Sequence, residues 1–214
     1  MELKELVERF RKLATASVSD AVDKVTGERG FMTHEMKPIF NCKIVGPAVT
    51  VKEVFALKNE GPKLALQAID SAEEGSVLVI SAENAKDYAL FGGLMGTGAK
   101  VNGFEGAVLD GGVRDVNELK ELNFPVFSRS IVPSTTLGRI VTVASNIPVA
   151  CGGVMVHPGD IIVGDTDGVV VVPRAKAEEV LLKAEEIEET ERKQTEDIKE
   201  LKSIVKAVEK WARI

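Results

Sequence analysis

The sequence predicts an α/β domain in which a short β-α-β unit adjoins a more antiparallel sheet, followed by a long charged helical segment. Three observations carry this. Between residues 75 and 128, strand-like runs alternate with helix-like ones, which argues for layering with some parallel pairing. From Ile140 to Pro173, four short β-branched runs follow one another, divided by turn formers. Beyond Pro173 there is no glycine or proline, and 21 of the 41 residues are charged, ten basic and eleven acidic.

Leu3, Leu6, Val7, Phe10 and Leu13 recur at helical spacing, so residues 2–14 form a helix with one buried face. A second helix is expected from an N-cap at Ser17 or Ser19 through Val22. Residues 27–42 are irregular, Ile44–Lys52 is a strand, and Pro62–Asp70 is a helix. Gly75–Ser81 reads as a buried strand followed by a helix over 85–101. Gly106–Asp110 is the next strand, followed by a helix over 115–122, and Pro125–Ser128 begins a third. The antiparallel part comprises Ile140–Ala144, Gly153–Val156, Asp160–Gly164 and Gly168–Pro173. As one helix, residues 174–214 would run about 60 Å. The segment therefore either bends back near Thr190–Thr195 or projects onto a neighbouring subunit, and assembly is the favoured role. The organisation is a domain over 1–173 and a helical extension over 174–214.

Composition sets limits on function. The net charge is −6, from 27 basic and 33 acidic residues, and no basic cluster is interleaved with aromatics, so no nucleic-acid partner is expected. No apolar run reaches the length needed to span a bilayer, and the N-terminus lacks a signal peptide's apolar region, so the expected location is the cytoplasm. Cys42 and Cys151 are read as free buried thiols, which a reducing compartment allows.

Chemistry concentrates in Gly106–Glu118, GAVLDGGVRDVNE. A buried strand delivers Asp110 to its C-terminal edge, Gly111-Gly112 permit a sharp turn, and Arg114 and Asp115 emerge where a helix starts. Ligands collect at that edge in α/β sheets. Carboxylates beside one guanidinium suit a hard divalent ion and an anionic substrate, with Asp115 on the metal and Asp110 and Glu118 holding its waters. The structural alternative is a capping box from Asp115 to Glu118, with Arg114 paired to Asp110. A second candidate is Phe91–Gly98, FGGLMGTG. Its glycines either bring helix N–H groups close to an anion or serve close packing. Asp165-Thr-Asp-Gly168 reads as a β-turn and His157 as a turn residue. His34 is isolated, and no nucleophilic triad or nucleotide loop is present.

These residues carry a resemblance. Ser17-Val-Ser-Asp20, Ile44–Val51, Leu94–Lys100, Gly106–Asp115, Phe124–Phe127, Pro158-Gly-Asp160 and Asp165–Pro173 together resemble the RraA-like family. That family includes class II 4-hydroxy-4-methyl-2-oxoglutarate/4-carboxy-4-hydroxy-2-oxoadipate aldolases and regulators of ribonuclease E activity. The resemblance spans roughly residues 3–195. It implies a β/β/α swivelling-type domain in a homotrimer or dimer of trimers, with sites between subunits. It further implies Mg²⁺ or Mn²⁺ at Asp115, substrate contact from Arg114, and a substrate carboxylate held by backbone amides at Leu94, Met95 and Gly96. A C-terminal glutamate, Glu188 or Glu191, is expected to reach the neighbouring site. The implied activity is cleavage of a 4-hydroxy-2-oxo acid to pyruvate, with oxaloacetate decarboxylation alongside. The regulators tend to lack the Asp that Asp115 retains. One departure is Gly93, where the aldolase pattern has an acidic residue separated from Arg-Asp by twenty intervening residues. The alternatives are a non-catalytic ribonuclease regulator and another 2-oxo-acid lyase of sugar-acid catabolism.

Overall fold

The computed structural model describes residues 1–211. Its spine is a run of four parallel strands, β2 (Ile44–Phe55), β3 (Val77–Phe91), β4 (Gly106–Val113) and β5 (Val126–Ile131). The two-residue β1 (Lys37–Pro38) lies antiparallel outside β5. β2 serves two neighbours in succession on its other side. Ile44–Pro47 pair antiparallel with β9 (Ile161–Asp165), which forms a hairpin with β10 (Gly168–Val172); Val51–Phe55 pair with β6 (Ile140–Ser145). A separate hairpin joins β7 (Val149–Cys151) to β8 (Val154–Val156). The mixed α/β architecture read from the sequence is therefore observed.

Successive strand residues are buried on opposite faces, which is why these strands read as unbroken apolar runs rather than alternating ones. Leu78, Ile80, Ala107, Leu109 and Val126 face a cluster with α3 (Lys63–Ser71), α4 (Gly93–Val101) and α5 (Val116–Glu121). Val77, Val79, Val108 and Phe127 face Met32, Met36, Val156 and Ile162 on the other side. A third cluster packs β9 and β10 against α1 (Leu3–Phe10), α2 (Thr15–Thr26) and α6 (Ala177–Leu201).

The structure corrects four sequence readings. β3 runs to Phe91, so no helix starts at 85; α4 begins at Gly93. The segment Ala85–Phe91, rich in helix formers, stays extended because it pairs with Gly111–Val113 through shifts of register that begin at Glu83 and Asn84, both at positive φ. Gly111 and Gly112 form no turn. They lie within β4, where a Cβ would meet the Ala85 carbonyl oxygen at 2.8 Å and that of Tyr88 at 2.9 Å. α2 begins at Thr15, and its N-cap position is Ala14, ahead of either serine. The C-terminal helix passes unbroken through Thr190–Thr195 and reverses at Lys202, which has φ 49°, into α7 (Ile204–Trp211). Asp197 clasps that return by accepting from Lys210 Nζ at 2.9 Å and from Trp211 Nε1 at 2.5 Å.

α6 packs first on its own chain. Ala177, Val180, Leu181, Ala184 and Ile187 are buried in the cluster with α1 and α2, and Arg9 forks onto Glu185 at 2.8 and 2.6 Å.

Candidate functional site

Arg114 and Asp115 stand where β4 ends and α5 begins, at the C-terminal edge of the parallel strands. The Arg114 N–H donates to the Phe91 carbonyl at 3.1 Å, which ties this corner to the end of β3. Asp115 is the N-cap residue of α5 but adopts φ 56°, ψ 39° and makes no side-chain capping bond. The capping-box alternative is therefore not formed. For a non-glycine residue the left-handed region carries a strain of about 1 kcal/mol, of the kind that persists where surrounding structure imposes it.

That conformation turns the carboxylate across to α4. Gly93 N–H donates to Asp115 Oδ2 at 3.0 Å, and Arg114 Nε lies 3.4 Å from the same oxygen. Both contacts fall on Oδ2. Glu118, one turn into α5, places its carboxylate over Gly93: a Cβ built there would lie 1.9 Å from Glu118 Oε2. A Cβ on Gly92 would meet Asp115 Oδ2 at 2.5 Å. The two glycines are thus the cradle that lets two carboxylates approach the start of a helix. Gly96 belongs to packing, since a Cβ there would lie 2.3 Å from Leu119 Cδ2.

Of the amides expected to hold an anion, Gly96 N–H is engaged by the Gly92 carbonyl at 2.9 Å. Leu94 and Met95 occupy the first turn of α4, whose N–H groups have no intrahelical acceptor. In front of them opens a cavity of about 390 Å³, bounded by Arg114, Asp115, α4 and the loop over 135–137. Arg114 is half exposed, and its Nη1 lies 3.5 Å from the Ser134 carbonyl.

Asp110 takes no part in this group. It is 5% exposed and fully engaged: Arg129 Nε donates to Oδ1 at 2.7 Å, Gly152 N–H to Oδ1 at 3.1 Å and Asn84 N–H to Oδ2 at 3.1 Å. Its partner is thus Arg129, not Arg114. Arg129 also donates to Glu35 at 2.5 Å, and Glu35 accepts from Lys86 as well. These two cations hold the Glu35 carboxyl below its usual range, Lys86 contributing most. Glu188, one of the two glutamates expected to reach a neighbouring site, accepts from Ala14 N–H in its own chain.

The sequence reading missed the Arg129–Glu35–Lys86 network and the 135–137 wall of the cavity. An arginine just past a buried strand run, beside a strand carrying a buried aspartate, was the available signal for Arg129. Asp165 and His157 are turn residues as expected: Asp167 N–H donates to Asp165 Oδ1 at 3.0 Å, and His157 N–H to Asp160 Oδ2 at 2.8 Å.

Among the described residues, no group of three or more His, Cys, Asp and Glu side chains is placed to hold a metal ion. The site does offer hard oxygen donors, Asp115 Oδ1 and the Glu118 carboxylate. That set suits an ion that keeps most of its waters, as Mg²⁺ does with one or two carboxylates. Elsewhere, Glu53 on β2 is 1% exposed and accepts only from Thr142 Oγ1, at 3.1 Å; its Oε2 has no partner. Burial pushes its carboxyl up to about 7. No helix among the described residues is long and apolar enough to cross a membrane.

Fold and site together define an α/β domain that presents an Arg-Asp pair at the C-terminal edge of its parallel strands, facing the start of a glycine-led helix. This chain belongs to the RraA-like family: the family described as Aldolase/RraA matches residues 15–171. It is 39% identical over 186 residues to a putative 4-hydroxy-4-methyl-2-oxoglutarate aldolase of Halalkalibacterium halodurans, covering 84% of this chain and 82% of that one. A solved structure of an uncharacterized Pseudomonas syringae protein superposes with a TM-score of 0.84 at 32% identity, covering 95% of this chain and 96% of the other. A Streptomyces coelicolor protein, described as an unusual member of the RNase ES inhibitor RraA family, gives 0.83 at 28% identity, covering 91% and 98%.

Proposed function

We propose that this chain is a divalent-metal-dependent lyase that cleaves a 4-hydroxy-2-oxo acid to pyruvate. The observation that carries the reading is the left-handed Asp115, held with Arg114 and Glu118 around the start of α4 in front of an open cavity. A capping or salt-bridging role would not require that strain. The aldolase name carried by the Halalkalibacterium relative supports it.

Asp115, with Glu118 acting through water, would hold Mg²⁺ or Mn²⁺, which supplies Lewis-acid polarisation of the 2-keto oxygen. The chain's own residues do the rest. Arg114 directs its fork of donors at the oxygen on which negative charge develops, where a fixed cation stabilises the transition state more than the ground state. The first-turn amides of Leu94 and Met95 orient the 1-carboxylate at the positive end of α4. Glu118 positions the water that takes the 4-hydroxyl proton. The O–H electron pair becomes the carbonyl of the departing aldehyde or ketone, and the C3–C4 pair passes to C3, giving pyruvate enolate. Protonation at C3 yields pyruvate. Oxaloacetate, losing CO₂, leads to the same enolate and is expected as a second substrate.

The test is pyruvate release from 4-hydroxy-2-oxo acids and oxaloacetate, followed by coupled NADH oxidation. Activity should vanish on EDTA treatment and return with Mg²⁺ or Mn²⁺; undiminished turnover in EDTA overturns the reading. A second reading, a regulator of RNA-processing enzymes acting by protein contact, draws on the description of the Streptomyces neighbour. Asp115→Ala separates the two, because a regulator keeps its inhibitory effect when that carboxylate is lost.

A further inference from the structure

The wall of the cavity opposite Arg114 has a composition that the aldolase names of its relatives do not suggest. Besides Asp115 and two threonines it is lined by Leu66, Leu90, Leu94, Met95 and Leu137, and Arg114 is its one cation among the described residues. Arg139, on the same loop, is not among the lining residues: its Nη1 donates to the Thr135 carbonyl at 3.3 Å, and its guanidinium lies 5.9 Å from the centre of the Tyr88 ring. Leu66, Leu94 and Leu137 are 45%, 92% and 47% exposed, so the rim presents apolar surface to whatever enters.

From this lining we propose that the substrate is a monocarboxylate, a 4-hydroxy-2-oxo acid whose distal half is an uncharged alkyl group, so that the second product is a simple aldehyde or ketone. The proposal deepens the lyase reading and rests on it. Charge counting leads there. Among the described residues the cavity is lined by Arg114 as its one cation beside Asp115, so its cationic side chains match one substrate carboxylate and leave none for a second. A second carboxylate at the far end of the substrate would lie against leucines with no counter-ion, and desolvating an unpaired carboxylate is costly. An alkyl group in the same place gains about 0.8 kcal/mol for each methylene buried.

Binding and turnover test this together. In Mg²⁺ buffer, calorimetric titration should show 4-methyl-2-oxopentanoate binding about tenfold more tightly than 2-oxoglutarate. Pyruvate release from 4-hydroxy-2-oxohexanoate should exceed that from 4-hydroxy-4-methyl-2-oxoglutarate by about the same factor in kcat/KM. Leu137→Arg, which adds a counter-ion to the wall, should shrink or reverse both preferences, and Leu66→Arg serves if the first variant melts early. Equal or preferential use of the diacid overturns this proposal and leaves the lyase intact. No 2-oxo-acid binding and no pyruvate from either substrate overturns both.

Discussion

Asp110 and Asp115 lie five residues apart on one stretch of chain, yet they occupy opposite kinds of environment. Asp110 is buried and accepts three hydrogen bonds, one from a guanidinium that is itself shared with Glu35. Asp115 is partly exposed, and both its contacts fall on one oxygen while its backbone is held in the left-handed region. A buried carboxylate with both oxygens engaged has little left to offer a ligand. One held in strain with an unmatched oxygen has more. Satisfaction of polar groups, more than residue type or position in a motif, separates the structural aspartate from the one proposed to hold the metal.

The sharpest way to break this comparison is to remove each carboxylate function in turn. Asp115→Ala should reduce metal-dependent pyruvate release by at least about a thousandfold, near 4 kcal/mol of transition-state stabilisation, while lowering urea stability by no more than about 1 kcal/mol, since alanine sits less easily in the left-handed region. If it instead unfolds the protein, Asp115 is structural after all. Arg129→Ala should do the reverse. Leaving Asp110 and Glu35 without their shared cation costs roughly 3 kcal/mol in urea unfolding, while the activity per folded molecule is retained.

Glu53 extends the same rule to a third carboxylate, buried but unmatched. Its folded-state pKa, about 7, lies above the ordinary 4.5. The unfolded chain therefore releases this proton first, and stability falls as pH rises from about 4.5 through about 7. Glu53→Gln should remove that penalty, on the order of 2–3 kcal/mol at pH 8 and near zero at pH 4, read as a melting temperature that no longer drops across this range. The smallest effect is expected from Asp115→Gly. Relief of the left-handed strain should raise stability by about 0.5–1 kcal/mol in a protein that no longer turns over, measured by denaturant titration beside the Ala variant.

How much of this was legible depended on whether a residue's role is local. Arg114 and Asp115 could be placed because a buried strand ending before a helix start puts them at the sheet's C-terminal edge. The apolar runs of β2 to β5 announced themselves because both faces are covered. The partner of Asp110 could not be read: Arg129 reaches it across neighbouring strands, and that adjacency is a product of topology. The reach of β3 to Phe91 was hidden for a related reason. Ala85–Phe91 has helix-forming composition, and what holds it extended is the missing Cβ atoms of Gly111 and Gly112 on the next strand. The glycines of FGGLMGTG could be counted in advance, but their division between a carboxylate cradle at 92–93 and helix packing at 96 required the positions of Asp115, Glu118 and Leu119.

The helix that starts at Thr15 supplies no cap from its own sequence. Its first amides are met by Glu188, from the C-terminal helix, and by Asp165, which accepts from Thr15 N–H at 3.1 Å. Both acceptors lie at least 150 residues downstream. During synthesis this segment leaves the ribosome with an open end and waits until the stretch through Glu188 has followed. Its completion is thereby a late event of high contact order, which couples the fraying of an N-terminal helix to the docking of the C-terminal one.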